Sequence, residues 1–349
     1  MAPEAGLKAM LAHVRDLPAQ LEAAPRLPGL ADVAPPPVPV RDVLVCGMGG
    51  SAIAGDLLAP VAERAGVRLA VRREADLPGW LDERTLLVFS SYSGRTGETL
   101  GAARAAAGLP NPRVAITTGG PLGDLADGAV APCPRVTLPP GLPPRAALGH
   151  GLGALACVLD RVGAVPGLAA QLPAAAAAWR RGEETFGPAA GPDNPALLAA
   201  RAALGRLLVV YTCSPEAHAP GLRLKAQVNE NGKSPALVVA LPEAAHNDLV
   251  GWEVLRPRRR DFLLLMLHSG DETPQARRRS RAVADLLDGE FQARIEHEAA
   301  GDFPLARILS LVQFGDYLSC YLAAAAGVDP VPVARIDALK DRLRKDGDT

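Results

Sequence analysis

A chain of 349 residues is long enough for two domains of ordinary size, and 48% apolar with 21% charged residues excludes a disordered, solvating polymer. The formal net charge of −1 supplies no global field for a nucleic-acid backbone or an anionic membrane, so an anionic ligand needs a local site. The five cysteines, Cys46, Cys133, Cys157, Cys213 and Cys320, are scattered without a Cys-x-x-Cys pair, which argues against a disulfide framework and a structural zinc.

In chain order, Leu7, Met10, Leu11, Val14, Leu17 and Leu21 recur at helical spacing and predict an amphipathic first helix. The Pro-rich stretch 34–39 reads as an extended connector. Short apolar strands then alternate with helices: Val43–Cys46, Val67–Val71, Thr85–Ser90, Val114–Thr117 and Val136–Leu138, with helices over Ser51–Leu58 and Gly97–Ala107 and a long one from Pro144 to about Val162. That order predicts a doubly wound α/β domain with a parallel sheet. After an Ala/Pro/Gly-rich segment, 164–195, that reads as part interdomain helix and part surface connector, the order restarts. Strands are expected at Arg206–Cys213, Ala236–Ala240, Phe262–Leu267 and Phe291–Ile295, and helices at Pro220–Asn231, Pro274–Leu287 and Pro304–Ala326. The expected domains are 1–163 with the N-terminal helix, a connector over 164–195, and 196–349. No basic-then-apolar leader and no uncharged apolar run near the ~20 residues of a bilayer span is present, so a cytoplasmic location is expected. The arginine runs 256–260 and 277–279 read as solvated surface.

Two strand-to-helix loops suit an anion. Gly47-Met48-Gly49-Gly50-Ser51 lets backbone approach a ligand at a helix N-terminus. Gly47, Gly49 and Ala52 also fit a dinucleotide fingerprint, and Glu74 could serve its ribose. The second loop, Ser90–Thr99, clusters hydroxyl residues; Ser91, Ser93 and Thr96 can turn hydroxyls and N–H groups onto a phosphate. A single helix cap needs one such residue, not several.

Acid–base candidates follow. Arg145 stands just after Pro143-Pro144. Glu230, between Asn229 and Asn231, places a carboxylate at the unfavourable end of a helix dipole. His246, in Pro242–Asp248, is a proton carrier by residue type. No two histidines have the i, i+4 spacing of a helical metal site, so no metal is expected.

The segments Gly47–Asp56, Ser90–Thr99, Pro143–Gly149, Lys225–Ala236, Pro242–Glu253 and Asp329–Leu343 together resemble the bifunctional phosphoglucose/phosphomannose isomerases of the SIS superfamily. The resemblance implies two SIS domains in tandem with helical N- and C-terminal segments. Gly50, Ser51, Ser91, Ser93 and Thr96 would surround a sugar 6-phosphate. Glu230 would shuttle a proton through a cis-enediol, Arg145 would support the enediolate, and His246 with Lys340 would open the sugar ring. It also implies no cofactor, no nucleic acid or membrane partner, and a homodimer in which His246 serves the neighbouring subunit. Arg95, where many relatives have Asn, and Val331, where a small hydroxyl residue is usual, depart from the pattern. A sugar-phosphate-binding regulator and an isomerase of another phosphosugar are the alternatives, since the fold serves all three.

Overall fold

The computed structural model describes residues 3–345. The chain forms two compact units: Asp16–Ala177, and the residues up to Arg15 together with those from Ala178 onward. The expected first helix is two helices, α1 (Pro3–Arg15) and α2 (Leu17–Ala23). Pro18 in the first turn of α2 has no N–H to continue the α1 ladder, and the break falls there. α1 groups with the C-terminal residues, not with the first domain to which its position in the sequence assigns it.

In the unit Asp16–Ala177, β1 (Asp42–Gly47), α3 (Gly49–Arg64), β2 (Arg68–Arg72), β3 (Thr85–Ser91), α4 (Gly97–Ala105), β4 (Arg113–Thr117), α5 (Gly120–Asp127), β5 (Arg135–Thr137) and α6 (Leu148–Arg161) alternate. The sheet is parallel throughout, in the order β2-β1-β3-β4-β5. β1 is buried at every position, which is why it reads as an unbroken apolar run. Leu44, Cys46, Leu87 and Phe89 pack with Leu100 and Ala103 of α4 and Leu122 of α5. Successive strand residues face opposite ways, and Val45 accordingly meets α3 at Gly55. Burial raises the Cys46 thiol to about 12, so it is an inert part of the core.

The helical part of the 164–195 stretch is α7 (Leu172–Phe186), within which the chain passes from one unit to the other. The other unit continues with α8 (Pro195–Ala203), β6 (Leu207–Thr212), α9 (Pro215–Glu230), β7 (Ala236–Ala240), α10 (Asp248–Gly251), β8 (Phe262–His268), α11 (Pro274–Leu286), β9 (Arg294–Glu298), α12 (Pro304–Ala326) and α13 (Ala334–Lys345). Its sheet is again parallel, in the order β7-β6-β8-β9. Tyr211, Leu264 and Met266 form a core with Val283 and Ala284 of α11.

Three expectations shift. α9 begins at Pro215, not Pro220, because Ser214 caps it, its Oγ accepting the Ala217 N–H at 3.3 Å. The last strand is Arg294–Glu298, not Phe291–Ile295; Phe291 instead joins the core beside Trp252. The basic runs are not uniformly solvated: Arg256 pairs with Glu290, and Arg277 with Glu272 and Glu298. By length and composition α12 could cross a membrane, but 78% of that window is buried, as in a core helix.

Candidate functional site

Strand order reverses between β1 and β3, the position where open parallel sheets leave a crevice at the carboxyl ends of their strands. Both candidate loops open there. α3 starts at Gly49 and α4 at Gly97, and neither has a side-chain cap. Thr96 holds the cap position of α4, but its Oγ1 bonds Ser91 Oγ at 2.8 Å instead of the helix N–H groups. The capping explanation of the hydroxyl cluster therefore fails, and both helix N-termini present their donors and partial positive charge to the crevice.

The loops are tied to one another. Ser90 Oγ donates to Ser51 O at 3.1 Å, and Ser51 Oγ accepts from Tyr92 N at 2.9 Å. Ser93 is exposed, its Oγ accepting from Arg95 N at 3.2 Å. Gly94 has φ +66°, and a Cβ there would stand 1.8 Å from Gly119 O, so no other residue type fits this turn. Tyr92 extends the network: its hydroxyl donates to Pro139 O at 2.8 Å and accepts from Leu142 N at 3.1 Å. Those bonds pin the loop that leads into the 3-10 turn Pro144–Ala146, where Arg145 is buried. A Cβ on Gly50 would lie 2.9 Å from Pro144 O and 3.2 Å from Arg145 N. Gly50, Ser51, Ser91, Ser93, Thr96 and Arg145 are thus gathered by one set of loops.

Glu230 is the last residue of α9. A polar ladder anchors this helix to α12. Arg223 Nε and Nη2 donate to Asp316 Oδ1 and Oδ2 at 2.9 and 2.7 Å, and Gln227 Nε2 donates to Asp316 Oδ1 at 3.0 Å. Asn231 Nδ2 donates to Ser319 Oγ at 3.0 Å, and Ser319 Oγ to Asp316 O at 2.7 Å. Positions 223, 227 and 231 fall four apart on one helix face, so the ladder fixes the rotation of α9 and the direction in which Glu230 leaves it. Lys233, at φ +52°, folds back so that Nζ donates to Glu230 O and, at 2.7 Å, to Pro332 O. It satisfies the last carbonyl of α9 and joins it to the segment entering α13, which carries Lys340.

His246 is exposed in the 3-10 turn Glu243–His246 that follows β7. α9 runs antiparallel to the strands it connects, so Glu230 lies at the amino edge of this sheet and His246 at its carboxyl edge. The length of β7, roughly 16 Å, separates those edges. A chain's own Glu230 and His246 are not brought together.

Sequence reasoning missed Tyr92, Lys233 and the Arg223–Asp316 ladder. The Arg223, Gln227, Asn231 spacing was the available signal for the ladder. Tyr92 gave none, because an aromatic at a strand end reads as core. Among the described residues no group of three or more His, Cys, Asp or Glu side chains is placed to hold a metal ion.

Residues 192–343 match a family model described as the bacterial phospho-glucose isomerase C-terminal SIS domain. A bifunctional phosphoglucose/phosphomannose isomerase of Caldicellulosiruptor bescii is 33% identical over 96% of this chain and 98% of its own length. That of Aquifex aeolicus is 31% identical over 90% and 94%. Among solved structures, a hypothetical protein of Thermus thermophilus matches with a TM-score of 0.74 at 20% identity, over 98% of this chain and 94% of that one. Tagatose-6-phosphate ketose/aldose isomerase of Escherichia coli matches with a TM-score of 0.64 at 14% identity, over 91% and 93%; both likenesses concern the fold. The sheet topology, the paired loops and the identity along nearly the whole chain converge: the chain belongs to the family of bifunctional phosphoglucose/phosphomannose isomerases.

Proposed function

We propose that the chain interconverts glucose 6-phosphate and mannose 6-phosphate with fructose 6-phosphate through a cis-enediol, without a cofactor or metal. The observation that carries this reading is the crevice beside β1 and β3. Two helices open on it uncapped, and the Ser91 and Thr96 hydroxyls meet at its floor. That is a neutral cradle of donors for a phosphate dianion.

In this mechanism the Glu230 carboxylate takes the proton from one of the two sugar carbons and returns it to the other. Arg145 stands against the negative charge that develops on the enediolate oxygens. His246 and Lys340 move the proton between ring oxygen and hydroxyl as the ring opens. No electrons leave the sugar, so no redox partner is needed. Removing the cradle hydroxyls tests phosphate binding: Ser91→Ala combined with Thr96→Ala is expected to raise KM at least roughly tenfold while kcat changes less. An unchanged KM would place the phosphate elsewhere. Gly50→Ala is expected to lower kcat/KM by as much as ~100-fold by displacing Arg145, with little change in melting temperature. Unaltered kinetics would separate Gly50 from the site.

The chain is further proposed to be a cytoplasmic homodimer in which each His246 serves the partner's Glu230. The separation of the two residues along β7 supports this reading. Mixing His246→Ala with Glu230→Gln, each inactive alone, is expected to restore activity up to about a quarter of the unmodified level, because half the dimers then hold one complete site. No restoration would mean that the two residues act within one chain.

A further inference from the structure

The two sheets carry loops of equal length at equivalent places. Residues 92–96 join β3 to α4, and residues 269–273 join β8 to α11; β8 lies beside β6 as β3 lies beside β1. Aligned on the cap residues Thr96 and Thr273, Arg95 falls on Glu272. A ligand crevice is expected at both switch points, yet the two are built in opposite senses.

Arg95 is exposed, and among the described residues its guanidinium meets no hydrogen-bond or ion-pair partner. The Glu272 side chain is 0% exposed. Its Oε1 accepts the Ser269 N–H at 2.7 Å, and Arg277 Nη2 lies 2.9 Å from Oε2, an ion pair without hydrogen-bond alignment. His268, only 5% exposed, makes no hydrogen bond through either ring nitrogen, and its Nδ1 stands 3.4 Å from the same carboxylate. Burial alone would raise this carboxyl's pKa; His268, the backbone N–H groups of Glu272 and Ser269, and Arg277 outweigh it and bring it down to about 2. The helices differ in the same sense. α9 is capped by Ser214 and α11 by Thr273, which accepts the Ala276 N–H at 3.2 Å, whereas α3 and α4 have no side-chain cap.

We infer that Glu272 is a built-in anion: its carboxylate fills the β6/β8 crevice as a phosphate would fill the β1/β3 crevice. Each chain therefore takes up one phosphosugar, and a second anion site stays latent beneath Glu272. The comparison rests on the proposed phosphate role of the β1/β3 loops. Backbone N–H groups and an arginine around a buried carboxylate are the donor set that also binds phosphate. With that carboxylate gone, the Ser269 N–H would lose its acceptor and Arg277 would keep only Glu298, whose Oε2 accepts from Nη1 at 2.7 Å, leaving Nη2 for an incoming anion.

Titration calorimetry with 6-phosphogluconate, a phosphorylated sugar acid, and with inorganic phosphate tests this on the full chain. The unmodified protein is expected to bind about one anion per chain, and the Ser91→Ala/Thr96→Ala variant to bind it at least roughly tenfold more weakly. Glu272→Ala is expected to bind about two phosphates per chain, while Glu272→Gln, whose amide fills the same space, stays near one. Two anions per unmodified chain, or an affinity undiminished in the Ser91/Thr96 variant, would overturn the inference even if Glu272→Ala does not fold. So would a folded Glu272→Ala variant that stays at one. An unmodified protein that binds no sugar phosphate would instead reject the β1/β3 reading, and a gain of one site in Glu272→Ala would still decide the status of Glu272.

Discussion

Glu230→Gln is expected to lower kcat by ~10²–10⁴ in both directions of the isomerisation while leaving binding of a phosphosugar analogue within a few-fold of normal. The amide has the shape of the carboxylate but cannot accept the proton. Nothing else at the end of α9 needs to move. The rotation of the helix is set by Arg223, Gln227 and Asn231 against α12, and its last carbonyl, that of Glu230, is held by Lys233. Steady-state kinetics on fructose 6-phosphate, with calorimetric titration of the inhibitor, measures both parts. A variant that retains more than about a tenth of the activity would remove Glu230 from the proton transfer. Loss of analogue binding together with activity would show a structural role instead.

Asp316→Ala is expected to cost ~3–5 kcal/mol of stability, because it removes the carboxylate that both Nε and Nη2 of the buried Arg223 donate to. The pair is 5% and 2% exposed at its two side chains, and Gln227 loses its partner as well. Since Arg223 stands about two helical turns before Glu230 on α9, whatever folds should also show a lower kcat. The double variant Arg223→Met/Asp316→Leu removes both charges and is expected to recover most of the lost stability, because an apolar pair avoids the desolvation of two ions. Urea denaturation followed by circular dichroism distinguishes the cases. A loss below about 1 kcal/mol in Asp316→Ala would show that the pair contributes no more than an exposed one.

Much of this was legible in the residues because local chemistry and fold agree. β1 reads as a strand since both its faces are covered, and Pro304–Ala326 reads as one helix since its apolar residues continue to the left-handed cap at Gly327. The Ser90–Thr99 loop announced itself by a density of hydroxyls that one cap does not require. What stayed hidden depends on residues far apart in sequence. Asp316 is an ordinary break in an apolar helix until Arg223, 93 positions away, is placed against it. Glu272 looks like any loop carboxylate until Ser269, Arg277 and His268 close around it. The grouping of α1 with the C-terminal residues was hidden for the same reason: a sequence lists neighbours along the chain, and packing chooses others.

The measurement that tests the central claim most directly is turnover of fructose 6-phosphate by the purified protein in the presence of EDTA, with glucose 6-phosphate and mannose 6-phosphate assayed separately. Formation of both products at rates unaffected by the chelator is the expected result. Binding of fructose 6-phosphate with no formation of either aldose would contradict the account and make the chain a phosphosugar-binding protein without the isomerase chemistry assigned to Glu230.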